Sequence, residues 1–168
     1  MASSKTTKQL LAMAAGIVAL NIILTGVVFG QTTWTGTNST NWFDVGNWSP
    51  ATVPTAAVSV TINTSTPNPT VVPTGAAEAL SINLGSTGEG NLTIQSGASL
   101  TTSTNDFIGG SSPGTVTVTG SWTNEGVPFE NDLITVGSSS EPGTLIISNG
   151  GTVNDATGTI AGGGESVR

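Results

Sequence analysis

The chain has 168 residues, only 8% of them charged, a net charge of −7 at pH 7, and neither cysteine nor histidine nor tyrosine. Without cysteine there is no disulfide framework and no thiolate metal centre, and without histidine the commonest general base and metal ligand is gone. The basic residues are Lys5, Lys8 and Arg168, so the part beyond residue 30 sets ten acids against one arginine, a net of −9. Such a surface is unsuited to neutralising the phosphates of nucleic acid or of anionic lipid, and neither partner is expected.

Residues 1–30 have the order of an export signal: two lysines, an apolar run from Leu10 to Phe29, and Gly30 before a cleavage point that leaves Gln31 first. The rival reading is an uncleaved anchor, because an apolar run of 20 residues can span a bilayer. Cleavage is favoured, and membrane contact is expected through residues 10–29 only if it fails. Residues 31–56 hold three of the four tryptophans, Trp34, Trp42 and Trp48, among Gly and Asn. One reading is a platform of exposed indoles for sugar rings. The favoured one is a cap, since a solenoid end needs an atypical covering segment and indoles supply much apolar area in few residues.

Residues 57–168 read as solenoid repeats. Val58-Ser59-Val60-Thr61-Ile62 alternates apolar and polar, as a half-buried strand does. The Pro-rich stretch 67–73 reads as a loop or edge segment ending near Val71–Val72, and Leu80–Leu84 as the next strand. From there one phrase recurs. Leu92/Ile94, Val116/Val118 and Leu145/Ile147 form a first rank, and Leu100, Trp122 and Val153 a second. Leu84, Ile108, Val136 and Ile160 form a third, spaced 24, 28 and 24 residues apart. Glycine at the corners, as in Ile108-Gly109, and the absence of helical periodicity predict an all-β chain, a parallel β-helix or solenoid of about three to four coils. Right-handedness is expected by analogy with large solenoids. The longest coil carries an insertion, Asn124–Asp132, which should bulge as a loop. After Ile160 the chain runs into Gly-rich sequence where another strand should begin. Either it is a piece of a longer repeat protein, the favoured reading, or an open end available for self-association.

These features resemble the N-terminal part of bacterial β-helical surface proteins of the autotransporter-passenger kind. Trp34-Thr35-Gly36, Asn41-Trp42 and Asn47-Trp48 followed by Val53-Pro54 are similar to their opening motif. The Gly90–Gly97 phrase and the Ile108-Gly109 joint are similar to their repeats. The resemblance implies a secreted or cell-surface location, at the outer membrane or beyond it, and a structural or adhesive role. The partners it implies are surface glycans or other surface proteins.

Catalysis is not expected. Glycoside hydrolysis needs paired carboxylates, and the densest acids are Glu125, Glu130 and Asp132 in the insertion, with Asp106 nearly one coil earlier. They read as solvated turn residues, without basic partners. No cofactor or metal is expected. An ordered threonine array is not expected either, because Thr115-x-Thr117-x-Thr119 meets Asn91-x-Thr93-x-Gln95 and Thr144-x-Ile146-x-Ser148 in the adjoining coils. The alternative function is glycan binding or cleavage, with Trp34, Trp42, Trp48, Glu130 and Asp132 as candidate contacts.

Overall fold

The computed structural model describes residues 30–126, 133–137, 141–155, 160–162 and 166–167. The expected signal helix, the insertion from Val127 to Asp132 and the Gly-rich run 163–165 lie outside the described residues. No helix among the described residues is long and apolar enough to cross a membrane.

The alternation of apolar and polar residues yields strands throughout. They are β1 (Gly30–Trp34), β2 (Trp48–Ser49), β3 (Val58–Ile62), β4 (Thr70–Val72), β5 (Gly75–Glu78) and β6 (Ser81–Leu84). Then come β7 (Gly90–Ile94), β8 (Ala98–Thr102), β9 (Asp106–Ile108), β10 (Gly114–Val118) and β11 (Ser121–Asn124). The last are β12 (Ile134–Val136), β13 (Gly143–Ile147), β14 (Thr152–Asp155), β15 (Ile160–Gly162) and β16 (Ser166–Val167). A single 3-10 turn, Val45–Asn47, is the helical exception among them.

The strands form three sheets. Sheet A runs β15-β12-β9-β6-β3-β1-β2, sheet B runs β16-β13-β10-β7-β4, and sheet C runs β14-β11-β8-β5. Taken in order, the chain visits A, B and C and then returns to A, which makes a parallel β-solenoid of about four turns. Pairing is parallel everywhere except between β1 and β2. Equivalent residues therefore stack about 4.8 Å apart, and inward columns such as Leu92–Val116–Leu145 and Leu100–Trp122–Val153 line the interior. On the outer face of sheet B, Thr115 lies between Asn91 and Thr144, and Thr117 between Thr93 and Ile146, so the threonine rows are broken as the sequence indicates.

Three details depart from the sequence reading. Val136 stacks on Gly162, and Ile160 stacks on Ile134, so the last turn shifts the third rank by two residues. A shift of two keeps the inward parity of every residue, whereas a shift of one would reverse it. Gly75–Glu78 is a strand, although Gly, Ala and Glu have low β-propensity; it forms because Ala98–Thr101 offers a paired edge. The cap is also more strand-like than expected, since β1 pairs with β3 in parallel and is already a rung of sheet A. The Pro-rich stretch does end in an edge segment, with β4 at the margin of sheet B between Pro69 and Pro73.

At the corner between sheets A and B the backbone turns through Gly85, Gly109 and Gly137, with φ of 78°, 82° and 79°. A side chain there is strained, and at Gly109 a Cβ would also stand 2.6 Å from the Pro142 carbonyl oxygen. Gly97 has the same φ of 82° but open space around it. Gly109→Ala should therefore lose about 1–3 kcal/mol to the backbone alone and more to the collision. Gly97→Ala should lose the first contribution only. Chemical denaturation of both variants checks this; equal midpoints would remove the collision from the account.

Candidate functional site

Trp34, Trp42 and Trp48 come together as one cluster near the N-terminal end. The Trp48 ring lies 4.9 Å from Trp34 and 4.8 Å from Trp42, edge-on to both at 77° and 75°. This is the favourable geometry for aromatic pairs. The loop is held by Asn47, which is fully buried. Its Oδ1 accepts from the Asn38 and Ser39 N–H groups at 2.8 and 2.9 Å, and its Nδ2 donates to the Asn41 carbonyl at 2.9 Å. Asp44 caps the 3-10 turn by accepting from the Gly46 N–H at 3.0 Å. That bond, with the Ser39 hydroxyl, lowers its pKa from the ordinary value.

The same segment closes two sheet edges. β2 lies antiparallel on β1 at the end of sheet A, and Thr40–Trp42 exchanges backbone hydrogen bonds of 2.8 Å with Val71 at the margin of sheet B. Trp34, Trp42 and Trp48 are 1%, 0% and 3% exposed. A platform for sugar rings needs an open indole face, and none of the three has one. The rings instead form a buried cluster near the N-terminal end. Glu130 and Asp132 lie outside the described residues.

Asp106 is the site that sequence reasoning missed. The acids were expected in turns, but Asp106 opens strand β9 and is fully buried. It occupies a core position, paired with Ile134 in the next turn. Burial of a carboxyl is tolerable only with hydrogen bonds, and three converge on it. The Ile82 N–H donates to Oδ1 at 2.7 Å, while the Thr102 hydroxyl and, at 2.9 Å, the Asn124 amide donate to Oδ2. The network extends to the Trp122 indole N–H, which donates to Thr102 Oγ1 at 3.2 Å. Asn124 also donates to the Thr104 carbonyl at 2.7 Å. One turn later Asp155 accepts from the Ile134 N–H at 2.9 Å. The signal was present in the sequence: Asp106 lies two residues before Ile108 and so shares its inward parity.

Burial raises the Asp106 pKa to about 7, against the three hydrogen bonds that lower it, with the Asp155 charge adding to the rise. No lysine or arginine stands among the described residues to offset it. When protonated, the carboxyl can donate to Thr102 Oγ1, so both charge states find partners. The network ties β6, β8, β9 and β11 together through buried side chains.

An open depression among the described residues lies at the corner between sheets B and C. It encloses about 420 Å³ across three turns, and its walls include Ser96, Ser99, Thr119, Ser121, Asn149 and Thr152. Its lining holds no charged and no aromatic residue. Among the described residues, the large apolar side chains of Phe43, Val45 and Phe107 are exposed outside it.

Residues 33–121 match the model of a family described as a domain of unknown function (DUF8693). The match spans Trp34, Trp42 and Trp48 of the cap and reaches Asp106, Ile82 and Thr102, but ends before Trp122 and Asn124. No curated protein and no solved structure matches the chain.

Two outcomes follow for these residues. Trp42→Ala should lose about 3–5 kcal/mol of stability. Trp42→Phe should lose less, because the Trp42 indole N–H has no hydrogen-bond partner to forfeit. Denaturation midpoints separate the two, and a thermally silent Trp42→Ala would remove the tryptophans from the cap. For Asp106, the folded pKa of about 7 exceeds the ordinary 3.8, so the folded chain binds the proton more tightly. Stability should be greatest below pH 3.8 as far as this group is concerned, and fall as pH rises towards 7, by on the order of 4 kcal/mol. Asp106→Asn should flatten that fall in a series of thermal melts between pH 4 and pH 7. A slope that persists in the variant would assign it to other carboxylates.

Proposed function

The chain belongs to the family of that domain of unknown function (DUF8693), and we propose that it is an exported, non-catalytic structural segment of a bacterial surface protein. The observation that supports this most directly is the in-register stack of about four turns beneath a cap at one end. A stack of this kind is stiff because each strand is hydrogen-bonded on both sides, and it lengthens without new chemistry when turns are added. The cap covers the edges of sheets A and B at the N-terminal end, where bare strand edges would pair with other chains. The acidic, histidine-free composition fits a solvated spacer that carries loops away from a cell envelope. The relationship to autotransporter passengers, drawn from the Trp motifs and Gly-corner repeats, belongs to this reading.

A second reading is glycan contact, and the observation favouring it is the neutral groove lined by hydroxyls. Sugars would meet Ser and Thr side chains there. Without an aromatic face, such contact would be weak at one groove and would gain from repetition along a longer stack.

The test is to express the full chain in a bacterium with two membranes and add protease to intact cells. The reading expects the solenoid to be reached from outside or recovered from the medium. A chain that remains in the cytoplasmic fraction, folded and protected, overturns it. Purified protein passed over immobilised neutral polysaccharide tests the second reading, which retention would support and free passage would sink.

A further inference from the structure

The turn between β13 and β14 contains Asn149-Gly150, the one Asn-Gly pair in the sequence. Every other asparagine precedes a residue with a side chain. Among the described residues, Asn149 is the one non-glycine with positive φ, at 52°, and Gly150 follows at 83°. The Gly151 N–H donates to the Ser148 carbonyl at 2.9 Å, closing a two-residue turn with both central residues left-handed. Asn149 and Gly150 are exposed. Nothing stands within 4 Å of the place where a Gly150 Cβ would lie. Neither the Asn149 amide nor the Gly150 N–H takes part in a hydrogen bond, so no partner restrains the two groups.

We propose that Asn149 is a site of spontaneous intramolecular deamidation, by which this exposed turn converts a neutral groove of the solenoid into an anionic one. The Gly150 backbone nitrogen gives its proton to solvent and attacks the Asn149 Cγ. A nitrogen–Cγ bond forms, the Cγ–Nδ2 bond breaks, and Nδ2 leaves as ammonia after taking up a proton. Water then opens the cyclic imide at either carbonyl. One opening leaves aspartate at position 149, and the other leaves a β-linked isoaspartate. One water enters and one ammonia departs, with no oxidation or reduction.

Glycine matters because a side chain on the attacking residue would obstruct the approach to Cγ. The turn must open for the attack, and a single backbone hydrogen bond closes it. At the same corner in the two preceding turns stand Ser96-Gly97 and Thr119-Gly120, which lack the amide. Since the groove lining carries no charge, the new carboxylate would be its first, ionised at neutral pH. A slow reaction of this kind matters most in a chain that persists outside the cell, as proposed above, but the chemistry does not depend on that location.

The test incubates the folded full chain at mildly alkaline pH and cleaves it after glutamate. Because Pro142 protects the bond after Glu141, the fragment is Asn131–Glu165, which carries Asn149 and Asn154 together with Asn131. Mass spectrometry should find the amide-to-acid mass gain at Asn149, in aspartate and isoaspartate forms, with Asn154 unchanged. Asn149→Gln should abolish the gain, because its longer side chain closes a less favourable ring. A synthetic peptide of the same fragment serves as the unfolded reference. The proposal fails if the folded chain keeps its amide while the peptide converts, if the peptide itself does not convert, or if Asn154 converts as fast. Should Asn149→Gln disturb the turn, the comparison of folded chain with peptide still decides.

Discussion

A parallel strand can satisfy its backbone only by finding, one full turn away, another strand in the same register. The described residues from Gly30 onward are arranged to meet that requirement. Corners must fall at matching places, so Gly85, Gly109 and Gly137 share one left-handed geometry. Inward positions must stack on inward positions, so Leu, Ile and Val recur in columns. Turn length itself is less constrained, because extra residues can leave at a corner without disturbing the pairs on either side. Between β11 and β12 more residues intervene than in the other turns, yet Asn124 and Ile134 remain paired with their neighbours.

The same requirement makes the first turn a special case, because it has no predecessor. The cap supplies one from unrelated material. β2 reverses direction to lie on β1, Thr40–Trp42 serves as a partner for Val71, and the three indoles fill the space that a further rung of small aliphatic residues would otherwise occupy. Asn47 makes this irregular loop possible by satisfying backbone groups that no sheet reaches. Phe43 and Val45 stay exposed on the same segment, so the cap is not apolar through and through.

How far the sequence discloses this varies with the physics involved. Ranks such as Leu92–Val116–Leu145 are legible because alternation reports parity directly, and parity is what pairing preserves. Strand β5 is illegible because its residues have no preference of their own; its conformation is imposed by the edge of β8. The tryptophans announce a special segment, yet the letters Trp34, Trp42 and Trp48 are the same whether the rings face a sugar or one another. Asp106 illustrates the opposite failure. Its parity with Ile108 placed it inward, but a carboxylate suggests solvent, and only the hydrogen bonds from Ile82, Thr102 and Asn124 reconcile the two. Ile160 was assigned by likeness to Val136, whereas pairing places it over Ile134.

The cap stands at the N-terminal end of the described residues, so a ribosome makes it before the turns that follow. Nearly all pairing in the solenoid joins a strand to the one a single turn earlier, so no contact needs a residue far downstream. Folding can therefore proceed as accretion. β1, β2 and the indoles offer a finished template, and each new turn adds to the last without waiting for the rest of the chain. Such a molecule can acquire its shape in the order in which it appears.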